Sequence, residues 1–436
     1  MKTCNLLLLI AGLVGLVCPV GAVELDLAGF LKLVDRYSHD MKLAAQDLET
    51  AAANKKEAWA TALPKIGAEA GYNRNLTDNF MFIGMEDHET GEMATQKLKF
   101  NFKNEYSFSA AISQTLFSFK VGNALKAASQ YSRMSEYLYS HQVRAVRTQA
   151  RKAFYQTLLL QKVYGIAQAS EINAQENFQQ MERKFQVGVV SEFQLLQAEV
   201  RWKNLTPETG KALRNYQLAL NSLKTMCGIP VDSSLQISGD FELIPPLPEK
   251  NGIATIIEQR PDYNAMIWEK KLRETGVKAQ VSDYLPSLEG KFIFNYSSQT
   301  DEWDPANENR SYIAGLTLTI PIYTGGYTGA QVKKSRIDLE KSKIRLDQTR
   351  QWIETDLNNI HQRMEEALAR IESARTVMVT AEKAYMIAQT SADNGLATQL
   401  ELKDSRIYCD QAKVNYYAAI YDYLDACFDW ELGTGQ

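Results

Sequence analysis

Apolar positions in the second half of the chain recur at alternating intervals of four and three: Ile353, Leu357, Ile360, Met364, Ala367, Ile371, Ala374, Met378, Ala381, Tyr385 and Ala388. That spacing lays one stripe along a helix and is the seam of coiled-coil packing. From Ala367 onward every second seam position is alanine, so the backbone of a partner helix approaches closely there. No glycine or proline stands between Gly329 and Gly395, and the stretch from Gly122 to Gly188 is interrupted only by Gly165. Both stretches are predicted to be single helices. At about 1.5 Å per residue each is on the order of 100 Å long, deeper than an ordinary globular core.

Elsewhere the period is two. Tyr106, Phe108, Ala110, Ile112 and Leu116 alternate with Ser107, Ser109, Ala111, Ser113 and Thr115, and Tyr312, Ala314, Leu316, Leu318, Ile320 and Ile322 alternate with positions that include Thr317 and Thr319. Each run follows a partner: Ile66, Ala68, Ala70 and Tyr72 against Gly67, Glu69 and Asn73; then Leu288, Phe292, Phe294 and Tyr296 against Glu289, Lys291 and Asn295. One face is apolar and aromatic, the other small or polar. Each run is about ten residues, the span of a tilted membrane strand. A half-buried soluble sheet shows the same alternation, so the choice turns on closure. The smallest barrels have about eight strands, and open edges are not tolerated in lipid. A membrane reading therefore requires several copies that each give four strands to one barrel.

The order of elements occurs twice. A helix over 27–62 ends at Leu63-Pro64, and one over 253–284 ends at Leu285-Pro286, where proline stops helical hydrogen bonding. Two strands, a very long helix, a glycine-marked turn and a returning helix follow in each case. Val187-Gly188-Val189-Val190-Ser191 answers to Asn394-Gly395-Leu396-Ala397-Thr398, and Tyr216 to Gly228 answers to Tyr421 to Gly433. The first copy is longer by a polar stretch, Thr77 to Lys103, which reads as a loop. Before the copies, Lys2, the apolar run Leu6 to Val17 and the small residues Val20-Gly21-Ala22 form a secretory signal peptide, too short to span a membrane. Cys18 raises lipidation, but Gly15-Leu16-Val17 is a poor lipobox, so cleavage is placed after Ala22. The expected organisation is signal peptide 1–22, first repeat 23–228, a proline-bearing linker 229–250, and second repeat 251–436.

Composition removes several classes of function. A formal net charge of −4 gives no basic surface for nucleic acid. Cys227, Cys409 and Cys427 have neither disulfide nor metal spacing and read as small buried apolar residues. The histidines at 39, 88, 141 and 361 stand apart, without a HExxH or triad-like motif, and Gly325-Gly326 lacks the Lys-Ser/Thr that holds a nucleotide. No catalytic residue, metal site or cofactor is expected, and energy for any transport comes from a partner.

Several local signatures carry a family resemblance: Arg260-Pro261-Asp262 opening the second copy, the paired Leu-Pro stops, Pro321-Ile322-Tyr323-Thr324-Gly325-Gly326 joining strand to helix, the two glycine turns, and Tyr216 to Gly228. In this order they resemble the TolC-type outer membrane efflux proteins, the outer membrane factors, over the whole chain after the leader. The first copy departs at Leu116-Phe117-Ser118-Phe119-Lys120, where Gly-Gly is usual. The resemblance implies a mainly α fold with a small β part. Long coiled-coil helices would form a periplasmic α-barrel tunnel, and four strands per subunit a trimeric twelve-stranded β-barrel in the outer membrane of a Gram-negative cell. It implies a passive conduit working with a periplasmic adaptor (membrane fusion) protein and an inner membrane pump of the RND, ABC or MFS type, in contact with outer membrane lipid. The other reading is an exported coiled-coil scaffold without a pore.

The resemblance also implies site residues. The turns containing Gly188, Val189 and Ser191 and Gly395, Leu396 and Thr398 match the tips that receive the adaptor. As structure, the glycines reverse the chain and Ser191 and Thr398 cap the next helices. Glu401 and Asp404, spaced i, i+3 on one helix face, match the gate carboxylates at the tunnel's narrowest part. Three copies would converge into a cation-attracting ring whose crowding raises carboxylate pKa values; the plain alternative is a solvated helix face. Gln194, Ala392 and Ala397 stand where the family's cross-helix locks carry Asp, Tyr and Arg, so those locks are not expected. Trp303 falls at the membrane interface or beyond it.

Overall fold

The computed structural model describes residues 23–86, 93–250 and 252–435; the expected leader 1–22, with Cys18, lies outside them. In chain order the first elements are β1 (Val23–Leu25), α1 (Leu27–Tyr37), α2 (His39–Ala60), β2 (Lys65–Arg74), β3 (Phe80–Glu86), β4 (Met93–Lys99), β5 (Asn104–Ser118), α3 (Phe119–Gln186) and α4 (Glu192–Met226). Then follow β6 (Leu235–Ile237), α5 (Ile253–Gln259), α6 (Pro261–Val281), a short 3-10 turn, β7 (Ser287–Thr300), β8 (Asn309–Thr319), α7 (Tyr327–Asp393) and α8 (Gln399–Thr434). The chain divides into a strand-bearing unit, 46–139 with 261–350, and a helical unit made of the residues up to Ala45, 140–260 and 351–436.

In the strand-bearing unit the four alternating runs form one antiparallel sheet in the order β2-β5-β7-β8. The register keeps parity across all four strands. Ile66, Ala70 and Tyr72 lie beside Ile112, Phe108 and Tyr106, while Phe292 and Phe294 lie between Ile112 and Ala110 on one side and Ala314 and Tyr312 on the other. Rings interlock on that face, with Phe294 and Tyr312 centred 5.0 Å apart and Tyr72 and Tyr106 5.1 Å apart. The opposite face is mainly small and polar; there Ser109 donates to Asn295 across the strands at 3.0 Å. β5 and β7, at 15 and 14 residues, are longer than the expected ten, and β5 carries a bulge between Thr115 and Phe117. β8 stops at Thr319 because Pro321 cannot donate to a ladder, so Ile320 and Ile322 lie beyond it. The outer edges of β2 and β8 pair with no other strand among the described residues.

The polar stretch 77–103 is not the plain loop that its composition predicts. It contains the antiparallel hairpin β3–β4, which continues the β2–β5 ladder through Asn75 N–H to Lys103 O (2.8 Å) and Phe100 N–H to Asn79 O (2.8 Å). The unbroken apolar run Phe80 to Ile83 outweighs the surrounding polar residues. The next loop is tied to it: Asp301 accepts from Lys99 Nζ at 3.0 Å and from the Lys103 N–H at 2.9 Å.

Long helices follow the absence of breakers. α3 runs 68 residues through Gly165, and α7 runs 67. In the helical unit the seam residues Ile353, Leu357, Ile360, Met364, Ala367 and Ile371 are buried; Ala374 to Ala388 along the same stripe are half-buried. α8 answers with Ala412, Tyr416, Ala419, Tyr423 and Cys427, all buried. Cys227 and Cys409 are buried as well, and burial pushes the Cys227 thiol up to about 11.

The helices before each Leu-Pro differ from the single segments expected. The first breaks at Ser38, whose backbone is extended (ψ 134°) while its carbonyl accepts from Lys42 N–H. The second breaks at Arg260, held extended by the following Pro261. The segment 229–250, expected as a bare linker, carries β6, which pairs in parallel with β1. It is strapped down further where Tyr423 Oη donates to Pro245 O at 2.8 Å and His361 Nε2 meets Pro248 O at 3.2 Å.

Candidate functional site at the helix tips

Both tip turns are built alike. Gly188 and Gly395 each hold φ 74° with nothing within 4 Å of where a Cβ would stand; the constraint there is left-handed backbone, not space. Ser191 then caps α4 and Thr398 caps α8, each through a reciprocal capping box with the residue three positions on, Gln194 and Glu401. Val187, Val189 and Leu396 at these turns are 74%, 70% and 83% exposed, more than large apolar residues on a free surface need be.

Glu401 therefore has a structural task. Its carboxylate accepts from Thr398 N–H at 2.8 Å and Thr398 Oγ1 at 3.0 Å, and these bonds pull its pKa below the ordinary glutamate value. Within one chain this is opposite to the upward shift expected from crowding. Asp404 is exposed three residues on. Gln194 is likewise occupied by the Ser191 cap.

Behind the tips, α4, α3, α8 and α7 lie in that order. Trp202 of α4 stacks on Phe178 of α3 at 5.5 Å; Asp410 of α8 accepts from Ser170 of α3 at 2.6 Å; Lys413 of α8 pairs with Glu382 of α7 at 3.0 Å. Between α4 and α8, floored by α3, runs an open groove of about 810 Å³. Phe193, Leu196 and Val200 on α4 and Leu400 and Ile407 on α8 give it apolar walls. Arg406 pairs with Asp410 at 3.1 Å and lies over the Tyr385 ring at 4.9 Å. Burial works against its charge, but Asp410 and Tyr385 more than offset this and its pKa ends above the ordinary arginine value. Arg201, also lining the groove, goes the other way: burial, then the like charge of Arg406, lowers its pKa. None of Ser170, Arg201, Arg406 and Asp410 stands out in the sequence, because long helices carry charges on every side and only tertiary packing selects these four.

At the other candidate surface, the outer end of the sheet, Trp303 stacks on Tyr72 with Arg74 4.7 Å above its ring, and Tyr106 Oη donates to its carbonyl at 2.7 Å. This is an aromatic and cationic cluster at the end of an apolar sheet face. The described residues contain no helix long and apolar enough to cross a membrane and no cluster of His, Cys, Asp or Glu suited to a metal ion.

The model of the outer membrane efflux protein family matches residues 32–229 and 252–427. The chain belongs to the outer membrane efflux protein family. It is accordingly an outer membrane transport protein, and the family is one of non-enzymatic channels. Among curated relatives, the alkaline protease secretion protein AprF of Pseudomonas aeruginosa is 20% identical over 328 residues, covering 74% of this chain and 68% of AprF. The outer membrane protein TolC of Escherichia coli is 19% identical over 406 residues, covering 88% of this chain and 77% of TolC. The solved structure of the CmeC outer membrane channel of Campylobacter jejuni matches with a TM-score of 0.77 at 19% identity, over 94% of this chain and 85% of that one. The two-faced sheet and the long paired helices are thus the fold of an outer membrane efflux protein.

Proposed function

We propose that three copies of this chain form an outer membrane duct of a tripartite export system, a passive conduit that catalyses no reaction. The carrying observation is the four-stranded sheet: apolar on one face, largely polar on the other, and, among the described residues, unpaired along the outer edges of β2 and β8. Lipid requires every backbone group to be satisfied, so β8 of one copy joins β2 of the next until twelve strands close. The leader 1–22 is removed on export, and the two repeats, 23–228 and 251–436, give two strands each. The adaptor docks at the tips, where Gly188, Val189 and Ser191 and Gly395, Leu396 and Thr398 present exposed apolar residues on pre-shaped turns. An RND, ABC or MFS pump in the inner membrane supplies the energy. Glu401 and Asp404 gate the entrance as a ring of carboxylates, Glu401 keeping its charge while it caps α8.

The deciding experiment reconstitutes the purified protein in planar bilayers after sizing it in detergent. A trimer that opens discrete pores is expected. A monomer that partitions into the aqueous phase and opens none is the behaviour of a coiled-coil scaffold, and would replace this reading.

A further inference from the structure

The apolar face of the sheet carries almost no charge. By register it takes every second residue from Ile66 to Arg74 in β2, Asn104 to Gln114 in β5, Leu288 to Thr300 in β7 and Arg310 to Leu318 in β8. Two of these positions are charged, and both are arginine: Arg74 and Arg310. The opposite face carries both signs, with Lys65, Glu69, Glu105, Glu289 and Lys291. Both arginines lie at one end of the sheet. Arg74 closes β2 and Arg310 stands second in β8, whereas β5 runs into α3 at the other end. They also stand on the two edge strands. Arg74 is exposed and lies 4.7 Å from the centre of the Trp303 ring, with no carboxylate at ion-pair distance among the described residues. Arg310 lies 5.8 Å from the Tyr296 ring and pairs with Glu308 at 2.8 Å, an exposed pair that contributes little. A ring covers the flat side of a guanidinium and leaves the N–H donors in its plane free.

We propose that Arg74, backed by the Trp303 ring, binds the phosphate of an outer-leaflet lipid headgroup, and that Arg310 completes this site across the seam between copies. The inference rests on the proposed barrel, which turns the apolar face to lipid and sets this end at the outer leaflet. Where β8 of one copy meets β2 of the next, an edge bearing Arg310 comes beside an edge bearing Arg74, so a trimer has three such sites. Arginine on a lipid-facing position is costly at the midplane and nearly free at the interface, which fits two arginines at the end of the face and none along it. The guanidinium fork matches the oxygens of a phosphate in a bidentate way. Two cations per seam suit a phosphate monoester, with up to two negative charges, better than a diester with one. The ligand class is therefore a phosphorylated glycolipid, whose acyl chains lie along the apolar face below the arginines.

The test uses the purified full-length protein in a non-ionic detergent, titrated with diphosphorylated lipid A or with the same lipid stripped of its phosphates. Native mass spectrometry counts the lipids retained. Up to three phosphorylated lipids per trimer are expected, held about tenfold more tightly than the stripped lipid. The preference should be lost in Arg74→Gln and reduced in Arg310→Gln. Equal retention of the two lipids by the wild type, or a preference that survives Arg74→Gln, would overturn the proposal. Should Arg74→Gln fail to assemble, the comparison of the two lipids on the wild type still decides. Inorganic phosphate at millimolar concentration should leave the lipid in place; its displacement would make free phosphate the ligand and overturn the assignment to a lipid. The same wild-type sample is then placed in planar bilayers. A trimer that opens pores but shows no phosphate preference removes this inference alone, whereas a sample with neither trimer nor pore removes the barrel reading and the seam with it.

Discussion

Glu401 carries two demands on one carboxylate. As the third residue of α8 it accepts from Thr398, and as a charged group beside Asp404 it contributes to the proposed entrance field. Its pKa is held down by the two Thr398 bonds, so the cap contributes stability above the ordinary glutamate value and loses it as pH falls through the lower folded value. Hydrogen exchange of the first-turn amides of α8 should stay protected on acidification until below the ordinary glutamate value, and should be fast at all pH values in Thr398→Ala, at a cost of about 1 kcal/mol. Exchange that quickens well above that pH would show the cap to be weaker than its geometry. The same fact changes the expected pH profile of cation block. Crowding alone predicts block fading toward about pH 5, whereas a capped Glu401 keeps block to lower pH. The motif Thr398-x-x-Glu401 was legible as a capping box in the sequence; weighing the glutamate only as a gate residue hid it. Arg201 was illegible for a different reason: it is tertiary packing that sets it in the groove between α4 and α8, and no one-dimensional pattern displays that.

At the scale of elements, alternation carried most of the information. A period of two fixed which strand residues share a face, and the register bears this out from Ile66 to Leu318. A period near three and a half located the α7 seam, buried at Ile353 and Leu357. What alternation does not reveal is a break within a periodic helix. Ser38, a residue type that favours helix N-caps, interrupts the first helix inside a continuous helical pattern, and Arg260 could have been read from the proline after it. Short pairings such as β1 with β6 depend on contacts between residues some two hundred positions apart and leave no local trace. The sheet's two faces give a direct prediction. Leu318, 60% exposed on the apolar face, should tolerate arginine poorly, losing about 2–4 kcal/mol when folding in bilayers. Thr317→Arg on the other face should fold with little loss and alter conductance instead. Equal losses at the two positions would mean that the faces are not lipid and lumen. In the helical unit, Leu357→Ala removes a fully buried seam residue and should cost about 2–5 kcal/mol in chemical denaturation.

For the whole molecule, the proposed ring of carboxylates predicts a cation-preferring pore that multivalent cations block from the periplasmic side. Single-channel recordings of Glu401→Gln combined with Asp404→Asn should show weaker cation preference and no block, with trimers intact by native mass spectrometry. Unchanged selectivity would return both residues to an ordinary solvated helix face. The unpaired edges of β2 and β8 bear on genetics as well as on architecture. A copy whose β8 edge is spoiled, for instance by Leu316→Pro, still offers a sound β2 edge and can be recruited into a ring that then fails to close. Such an allele should act as a poison rather than as a simple loss. Expressed in equal amount with the wild type, and mixing at random, it would leave only about one trimer in eight free of the defective copy. Export would then fall far below the half expected of independent monomers, and the wild-type phenotype should return only as the intact copy comes to dominate the pool.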